Sequence, residues 1–283
     1  MIAERVSELL GRRVVLLQAI ESRGYAAAYH GVAELEDGVT VFVKAGAEQV
    51  TSEFLRQEIR FYRSFHAPFM PRLHGADDGD PPILVIEDLW EGRWPPPWDD
   101  DAVNAVRTTL DAVAASEPPE GLQPVDRNRL VGGWAEIERD PQPFLAARMR
   151  SNEWLEASLP VLREAAESAL VDGDALLHLD IRSDNLCLTE RGAVLVDWNQ
   201  ACIGNPELDV AVWLPSLRLE GGPKPEEILT DGGGFAAMLA GFFGSRVGLP
   251  PPPTAPHVRE IQRAQLEVAL AWASRELDLR LDR

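Results

Sequence analysis

The stretch His178-Leu179-Asp180-Ile181-Arg182-Ser183-Asp184-Asn185 decides how the chain is read, together with Leu186-Cys187-Leu188, Thr189-Glu190-Arg191-Gly192 and Ala193-Val194-Leu195-Val196-Asp197 that follow. Two short apolar runs around a polar, Gly-containing segment predict a β-hairpin. Pairing Leu188 with Ala193 sets Asn185 level with Val196 and puts Asp197 beside it. Two oxygen-bearing side chains able to hold a metal then share one end of a rigid ribbon, and Asp180 lies on the loop that feeds it.

Phosphoryl transfer from a magnesium nucleotide needs that grouping. One aspartate orients the accepting hydroxyl and takes its proton, while an Asn and a second Asp hold Mg²⁺ against the phosphates. Asp180 and Asn185 are five positions apart and His178 stands two before Asp180, the spacing of a kinase catalytic loop. Asp and Asn are common loop residues, so the spacing alone says little. The His, the hairpin and the terminal Asp197 together carry the reading. His178 follows an apolar trio and is expected to hydrogen-bond the loop backbone. A zinc triad of His178, Asp180 and Asp184 would need a further ligand and leaves Lys44 and Glu58 without a role.

Upstream, residues 3–10 predict a short helix, and 14–20 is an apolar run that suits strand or helix. Residues 23–29 hold one glycine, a weak phosphate-cradling loop. His30–Leu35 and Val39–Lys44 flank Asp37-Gly38, the signature of a hairpin. A helix follows from about Ser52, with Thr51 or Ser52 as its cap. Glu58 interrupts its apolar face, and a carboxylate there is costly unless paired. Lys44, ending the preceding strand, is the natural cation; in a kinase such a lysine contacts the α/β-phosphates and the helix glutamate holds it. His74-Gly75 is read as opening a turn. Ile83–Ile86 is a buried strand emptying into Glu87-Asp88-Leu89, a connector whose backbone suits an adenine edge. The division falls near Asp88, giving a nucleotide-binding lobe at 1–88 and a catalytic, acceptor-binding lobe at 89–283.

Beyond it, Trp90, Trp94 and Trp98 surround Pro95–Pro97 and are expected to clasp a loop onto the body. Asp99–Asp101 cap a helix over 102–115. Helical periodicity returns over 144–159 and 161–170 with Pro160 between them, and the second segment is expected to pack beneath the catalytic loop. Asp209 enters a buried helix and is read as a brace for that loop through backbone N–H groups. Gly232–Gly234 lead into a helix through Phe243. A last helix spans about 256–277, its apolar face drawn through positions 258, 261, 268 and 272.

The formal charge is -19, from 46 acidic and 27 basic residues. Such a surface repels nucleic acid and anionic lipid and favours cationic partners. Two cysteines, Cys187 in an apolar strand and Cys202, fit a reducing compartment. MIAERVSELLGRR lacks a signal core, and the apolar run 235–243 is too short to span a membrane. A cytoplasmic protein is expected.

The segments VFVKAG (41–46), EFLRQEIRFY (53–62), ILVIEDL (83–89), HLDIRSDN (178–185), AVLVDW (193–198) and GNPELDVAVW (204–213) resemble the aminoglycoside phosphotransferase, or phosphotransferase enzyme, family across nearly the whole chain. The resemblance implies an α+β, bilobal protein-kinase-like fold, with a small sheet-bearing lobe, a larger and mostly helical lobe, and ATP or GTP with Mg²⁺ in the cleft. It implies Asp180 as catalytic base, Asn185 and Asp197 as metal ligands, and Lys44 with Glu58 as the phosphate-holding pair, with Glu87 and Leu89 in the connector. Two departures stand out: Leu179 occupies the place of the usual glycine between His and Asp, and no APE-like activation segment follows Trp198, which argues against a regulated protein kinase. The expected activity is O-phosphorylation of a small molecule, with a cationic aminoglycoside or other antibiotic as the first acceptor considered. A metabolic kinase of a sugar or amino alcohol, and a non-catalytic binding module, are the alternatives.

Overall fold

The computed structural model describes residues 2–20, 29–253 and 255–280. Its amino-terminal part comprises α1 (Ile2–Leu10), β1 (Val14–Ala19), β2 (Tyr29–Leu35), β3 (Thr40–Ala45), α2 (Gln49–Ser64), β4 (Leu73–Asp77) and β5 (Ile83–Glu87). The strands form one antiparallel sheet in the order β1-β2-β3-β5-β4. Asp37-Gly38 makes the expected turn, and Gly38 takes the left-handed conformation (φ 81°) that the turn demands. The run at 14–20 resolves as strand, and the loop reading at 23–28 lies outside the described residues.

Two readings of this part need correction. His74-Gly75 lie inside β4 rather than opening a turn: Gly75 pairs with Val85 and Ala76 with Leu84, and composition does not disclose such partners. Helix α2 starts earlier than expected. Its N-cap is Glu48, and Thr51 sits three residues on, its hydroxyl accepting the Glu48 N–H at 3.0 Å. That bond belongs to a capping box between Glu48 and Thr51.

Side-chain alternation along the strands sorts two faces. Val41, Val43, Ala45, Ile83 and Val85 form a small outer core with Val6 of α1. Leu84 and Ile86 turn the other way and join Leu55 and Ile59 of α2 in the main core. Lys44 shares the inner phase, so the same period that buries Val43 and Ala45 points the ammonium at the cleft.

The helical part comprises α3 (Asp100–Ala114), α4 (Arg127–Val131), α5 (Gly133–Arg139), α6 (Gln142–Ala146), α7 (Asn152–Ser168), α8 (Glu207–Leu219), α9 (Pro225–Ile228), α10 (Gly233–Gly244) and α11 (Val258–Glu276), with strands β6 (Ala175–Leu177), β7 (Leu186–Thr189), β8 (Gly192–Leu195) and β9 (Cys202–Gly204). Asp99 caps α3, accepting the Ala102 N–H at 2.7 Å. Pro160 does not divide two helices but lies within α7, where Trp154, Leu155, Leu162 and Ala166 on both sides of it are buried in one core. That burial offsets the hydrogen bond a proline removes. Nor does α7 lie beneath the catalytic loop; it packs on α10 and α5. Helix α10 is buried on nearly every face. At its crossing with α5, a Cβ on Gly133 would sit 2.2 Å from the Gly241 backbone, so only glycine permits the approach. The buried face of α11 runs through Leu266, Ala269, Leu270 and Ala273, joined by Trp272. Val258 and Ile261, assigned to that face by period, are only half-buried and line a cavity instead.

The tryptophan clasp forms through Trp98, which meets Trp213 edge-on at 5.5 Å and donates to Glu220 at 2.8 Å. Trp90, 70% exposed, takes no part. No helix among the described residues is long and apolar enough to cross a membrane.

Candidate active site

Hairpin β7–β8 forms in the expected register, with Leu188 opposite Ala193 and Leu186 opposite Leu195. The Val196 N–H then donates to the Asn185 carbonyl at 2.9 Å, which brings Asn185 and Asp197 side by side. Asp197 adopts φ 68°, ψ 53°, a left-handed conformation unusual for a residue other than glycine. Such conformations persist where the surroundings dictate them, and here the surroundings are ionic.

Lys44 Nζ lies 2.7 Å from Glu58 Oε2 and 2.8 Å from Asp197 Oδ1, so one ammonium bridges α2, β3 and the end of the hairpin. Burial works against the Lys44 charge, yet Asp197 and Glu58 outweigh it and raise its pKa above the ordinary value. Burial also opposes ionisation of Asp197, and the Lys44 charge more than reverses this, leaving its pKa lowered. Glu58, 1% exposed, is pushed up to about 7 by burial, with Lys44 opposing and Asp197 adding. A single cation is shared by two carboxylates, and the more deeply buried one holds its proton more readily.

Asp180 stands across the cleft from this trio. Its Oδ1 accepts from Arg182 at 2.5 Å and its Oδ2 from Asn185 Nδ2 at 2.9 Å. Burial pushes its pKa up to about 6 against the Arg182 charge, with Asp197 and Asp184 adding to the rise. Arg182 also forks onto both oxygens of Asp184, at 2.9 and 3.0 Å. A carboxylate has about four acceptor positions, so both oxygens of Asp180 retain capacity for a further donor.

The loop is pinned from behind. Asp209, 2% exposed, accepts the N–H groups of His178 and Leu179 at 2.8 and 2.7 Å. His178 Nε2 meets the Val196 carbonyl at 2.8 Å, and its ring packs edge-on against Trp198 at 4.5 Å. Burial lowers the His178 pKa, keeping the ring neutral. Both residues brace the backbone, as expected, and among the described residues His178, Asp180 and Asp184 do not come together as a metal-holding group. Leu179 takes φ 61°, which explains why glycine is usual at this place.

Asn185 donates through Nδ2 to Asp180, and Asp197 Oδ1 receives Lys44 and Asn199. Among the described residues no hydrogen bond falls on Asn185 Oδ1 or Asp197 Oδ2. Two hard oxygens suited to Mg²⁺ thus remain available, and this donor set fits a magnesium nucleotide. No group of three or more His, Cys, Asp or Glu side chains among the described residues forms a metal cage.

Two cavities flank this machinery. One, about 330 Å³, lies under the sheet between Val32, Phe42, Ile86, Leu89 and Trp94 and reaches Asn185 and Asp197. Glu87 and Leu89 border it. The Glu87 carboxylate turns away to Arg191 at 2.6 Å, and the Leu89 carbonyl receives Gly92 at 3.0 Å, so the Glu87 side chain itself is committed elsewhere. The other cavity, about 370 Å³, opens on the far side of Asp180 toward α4, α10 and α11.

Three neighbours escaped the sequence reading. Arg182 lay within the decisive motif, two residues after Asp180, and its charge was the signal. His30 borders both cavities and sits opposite Lys44 in the β2–β3 ladder. Its Nε2 is buried without a hydrogen-bond partner among the described residues, and burial together with the Lys44 charge lowers its pKa to about 4. The wall from α4 carried no signal, because short helices at 127–139 lack a readable period.

A model of the phosphotransferase enzyme family matches residues 32–242. None of the curated protein sequences matches the chain. Among solved structures, the chain is similar to a candidate fructosamine-3-kinase from Thermobifida fusca YX-ER1, at 22% identity, with 95% of this chain and 98% of that one covered and a TM-score of 0.55. It is similar to a choline/ethanolamine kinase family protein from Mesorhizobium loti, at 11% identity, with 92% and 91% covered and a TM-score of 0.63. It is also similar to the amicoumacin kinase hAmiN in complex with AMP-PNP, Ca²⁺ and Ami, at 12% identity, with 96% and 93% covered and a TM-score of 0.58. At these identities the likeness is one of fold, the bilobal protein-kinase-like arrangement of a sheet-bearing lobe on a helical one.

Proposed function

The chain belongs to the phosphotransferase enzyme family, and from that premise we propose that it is an ATP- and Mg²⁺-dependent O-phosphotransferase acting on the hydroxyl of a small molecule. The observation that carries this reading is the convergence of Lys44, Glu58, Asp180, Asn185 and Asp197 on one cleft from four separate elements. The AMP-PNP and Ca²⁺ bound by the amicoumacin kinase of the same fold support nucleotide use.

In this reading the lobes divide near Asp88. The nucleotide base enters the cavity beneath the sheet, where the apolar side chains of Val32, Phe42 and Ile86 sandwich it and the backbone of the 87–89 connector meets its polar edge. Lys44 turns from Asp197 to the phosphate oxygens, and Glu58 keeps it in place. Asn185 and Asp197 would hold Mg²⁺, which when bound neutralises charge on the phosphates. Asp180 accepts the proton of the acceptor hydroxyl. A pKa raised to about 6 leaves it mostly ionised near neutrality yet more basic than an ordinary aspartate. Arg182 and Asn185 fix the carboxylate's orientation, and Asp209 fixes the backbone that carries it. The acidic overall charge weighs against nucleic acid as a partner, and the buried thiols of Cys187 and Cys202 are compatible with a cytoplasmic setting.

Incubation with Mg-ATP or Mg-GTP and a library of small alcohols, followed by mass detection of added phosphate, tests the proposal. At least one product heavier by one phosphoryl group is expected. Absence of both product and metal-dependent nucleotide binding would overturn it.

A further inference from the structure

The cavity beyond Asp180 contrasts with the charge of the whole chain. Its wall is built from Val125, Leu130, Phe242, Phe243, Val258 and Ile261. The polar groups in it are mostly spoken for. Gln262 accepts from Arg259 at 2.7 Å, and Gln265 donates to Ser216 at 2.8 Å. Outside the Lys44–Glu58–Asp180–Asp197 machinery, the one carboxylate on the wall among the described residues is Asp126. It caps α4 by accepting the Arg129 N–H at 3.1 Å, and the guanidinium of Arg129 borders the same cavity. A polycationic acceptor would have several ammonium groups to satisfy, and beyond Asp126 and the carboxylates around Lys44 and Asp180 the described wall offers them mainly hydrocarbon.

Leu179 strengthens the contrast. Its left-handed backbone is one that L side chains rarely adopt, and Asp209 holds it there. The side chain it retains borders the same cavity, beside the Asp180 base. A strained conformation of this kind persists where the surroundings over-determine it, and the isobutyl group adds apolar surface next to the reacting hydroxyl.

Building on the phosphotransferase reading, we infer that the acceptor is an uncharged alcohol with an apolar, aliphatic or aromatic body, and that Leu179 is a specificity residue that packs on that body. The hydroxyl reaches Asp180 while the body fills the space between α4, α10 and α11. This replaces the expectation of a cationic aminoglycoside, which rested on the family resemblance and on an acidic pocket expected from the chain's charge; the described cavity wall is mainly apolar.

The test uses 2-(2-naphthyl)ethanol as the probe and kanamycin as the polycationic comparison, on the full chain. Saturable binding of the naphthyl alcohol, followed by its fluorescence, is expected, with kanamycin failing to compete. Ile261→Asp and, independently, Val258→Asp should each weaken naphthylethanol at least tenfold. Leu179→Gly should weaken it three- to tenfold while leaving Mg-ATP affinity within twofold, a split that general loosening of the loop would not produce. Mg-ATP binding and the unfolding temperature, measured on each variant, establish that it is folded. Tighter binding of kanamycin than of naphthylethanol, non-saturable naphthylethanol binding, or indifference to both wall substitutions would overturn the inference. Failure of the wild type to bind Mg-ATP would instead overturn the phosphotransferase reading, and the naphthylethanol titration would still report separately on the cavity.

Discussion

Replacing Asp209 with Ala removes the acceptor for two buried N–H groups, those of His178 and Leu179 at 2.8 and 2.7 Å. Each unsatisfied buried donor costs about 1–3 kcal/mol, so the direct loss is roughly 2–6 kcal/mol. Part of it is recovered, because Leu179 is then free to leave its left-handed conformation, which costs a non-glycine residue about 1–2 kcal/mol. A net destabilisation centred on about 2.5 kcal/mol remains, within a range of about 0–5 kcal/mol. With an unfolding entropy of about 2.1 cal/mol/K per residue over 283 residues, the unfolding temperature should fall by about 4 °C at the central value. The catalytic loop should suffer more than the fold, because its backbone loses its support, so turnover should drop well beyond the change in Mg-ATP affinity. Calorimetric unfolding together with single-turnover kinetics measures both. In a Leu179→Gly background the Asp209→Ala cost should change, since glycine adopts the same backbone without penalty, and the coupling shows in a double-mutant cycle. An unchanged unfolding temperature together with full turnover would refute the bracing role.

Lys44→Ala and Glu58→Ala should both cut turnover strongly, Lys44→Ala more so, and the two losses should be markedly less than additive because the glutamate acts through the lysine; fully additive losses in the cycle would separate the pair. Asp197→Ala should remove metal-dependent turnover and free Lys44 from one of its two carboxylates, so a variant with near-wild-type activity at low Mg²⁺ would undo the ligand assignment. Stability of the metal-free protein should fall as pH rises from about 4 to 7. Over that window the folded chain retains protons on Asp180, raised to about 6, and Glu58, raised to about 7, while the unfolded chain has already released them. The effect is at most about 3 kcal/mol for each group, and denaturant titrations at pH 5 and 7.5 measure it. Glu58→Gln should flatten the dependence, and a rise in stability over the same window would contradict the burial argument.

Much of the site was readable because local rules and the fold agree there. The hairpin that carries Asn185 and Asp197 follows from alternation and a turn alone, and a lone carboxylate on the apolar face of α2 predicted its own partner in Lys44. What stayed hidden depended on contacts distant in sequence. Lys44 also reaches Asp197, 153 positions away, and no local pattern announces that the two lobes meet through one ammonium. Pro160 reads as a break in any local scheme, and only burial on both sides of it sustains α7. The half-buried positions of α11 were assigned to the core because periodicity distinguishes apolar from polar faces but not a packed face from one that lines a cavity. Leu179 was visible as a departure, but its meaning required a backbone angle and a cavity.

The central claim is that Asp180 takes the proton of an acceptor hydroxyl during phosphoryl transfer, and the most direct test is the single-turnover rate of Asp180→Asn with an acceptor identified by product mass. The substitution preserves size and one hydrogen-bonding oxygen but removes the basic carboxylate. A loss of roughly 10²- to 10⁴-fold in the chemical step is expected, with Mg-ATP and acceptor dissociation constants within about threefold of wild type. An unchanged chemical step in that variant would remove Asp180 from the mechanism and contradict the account.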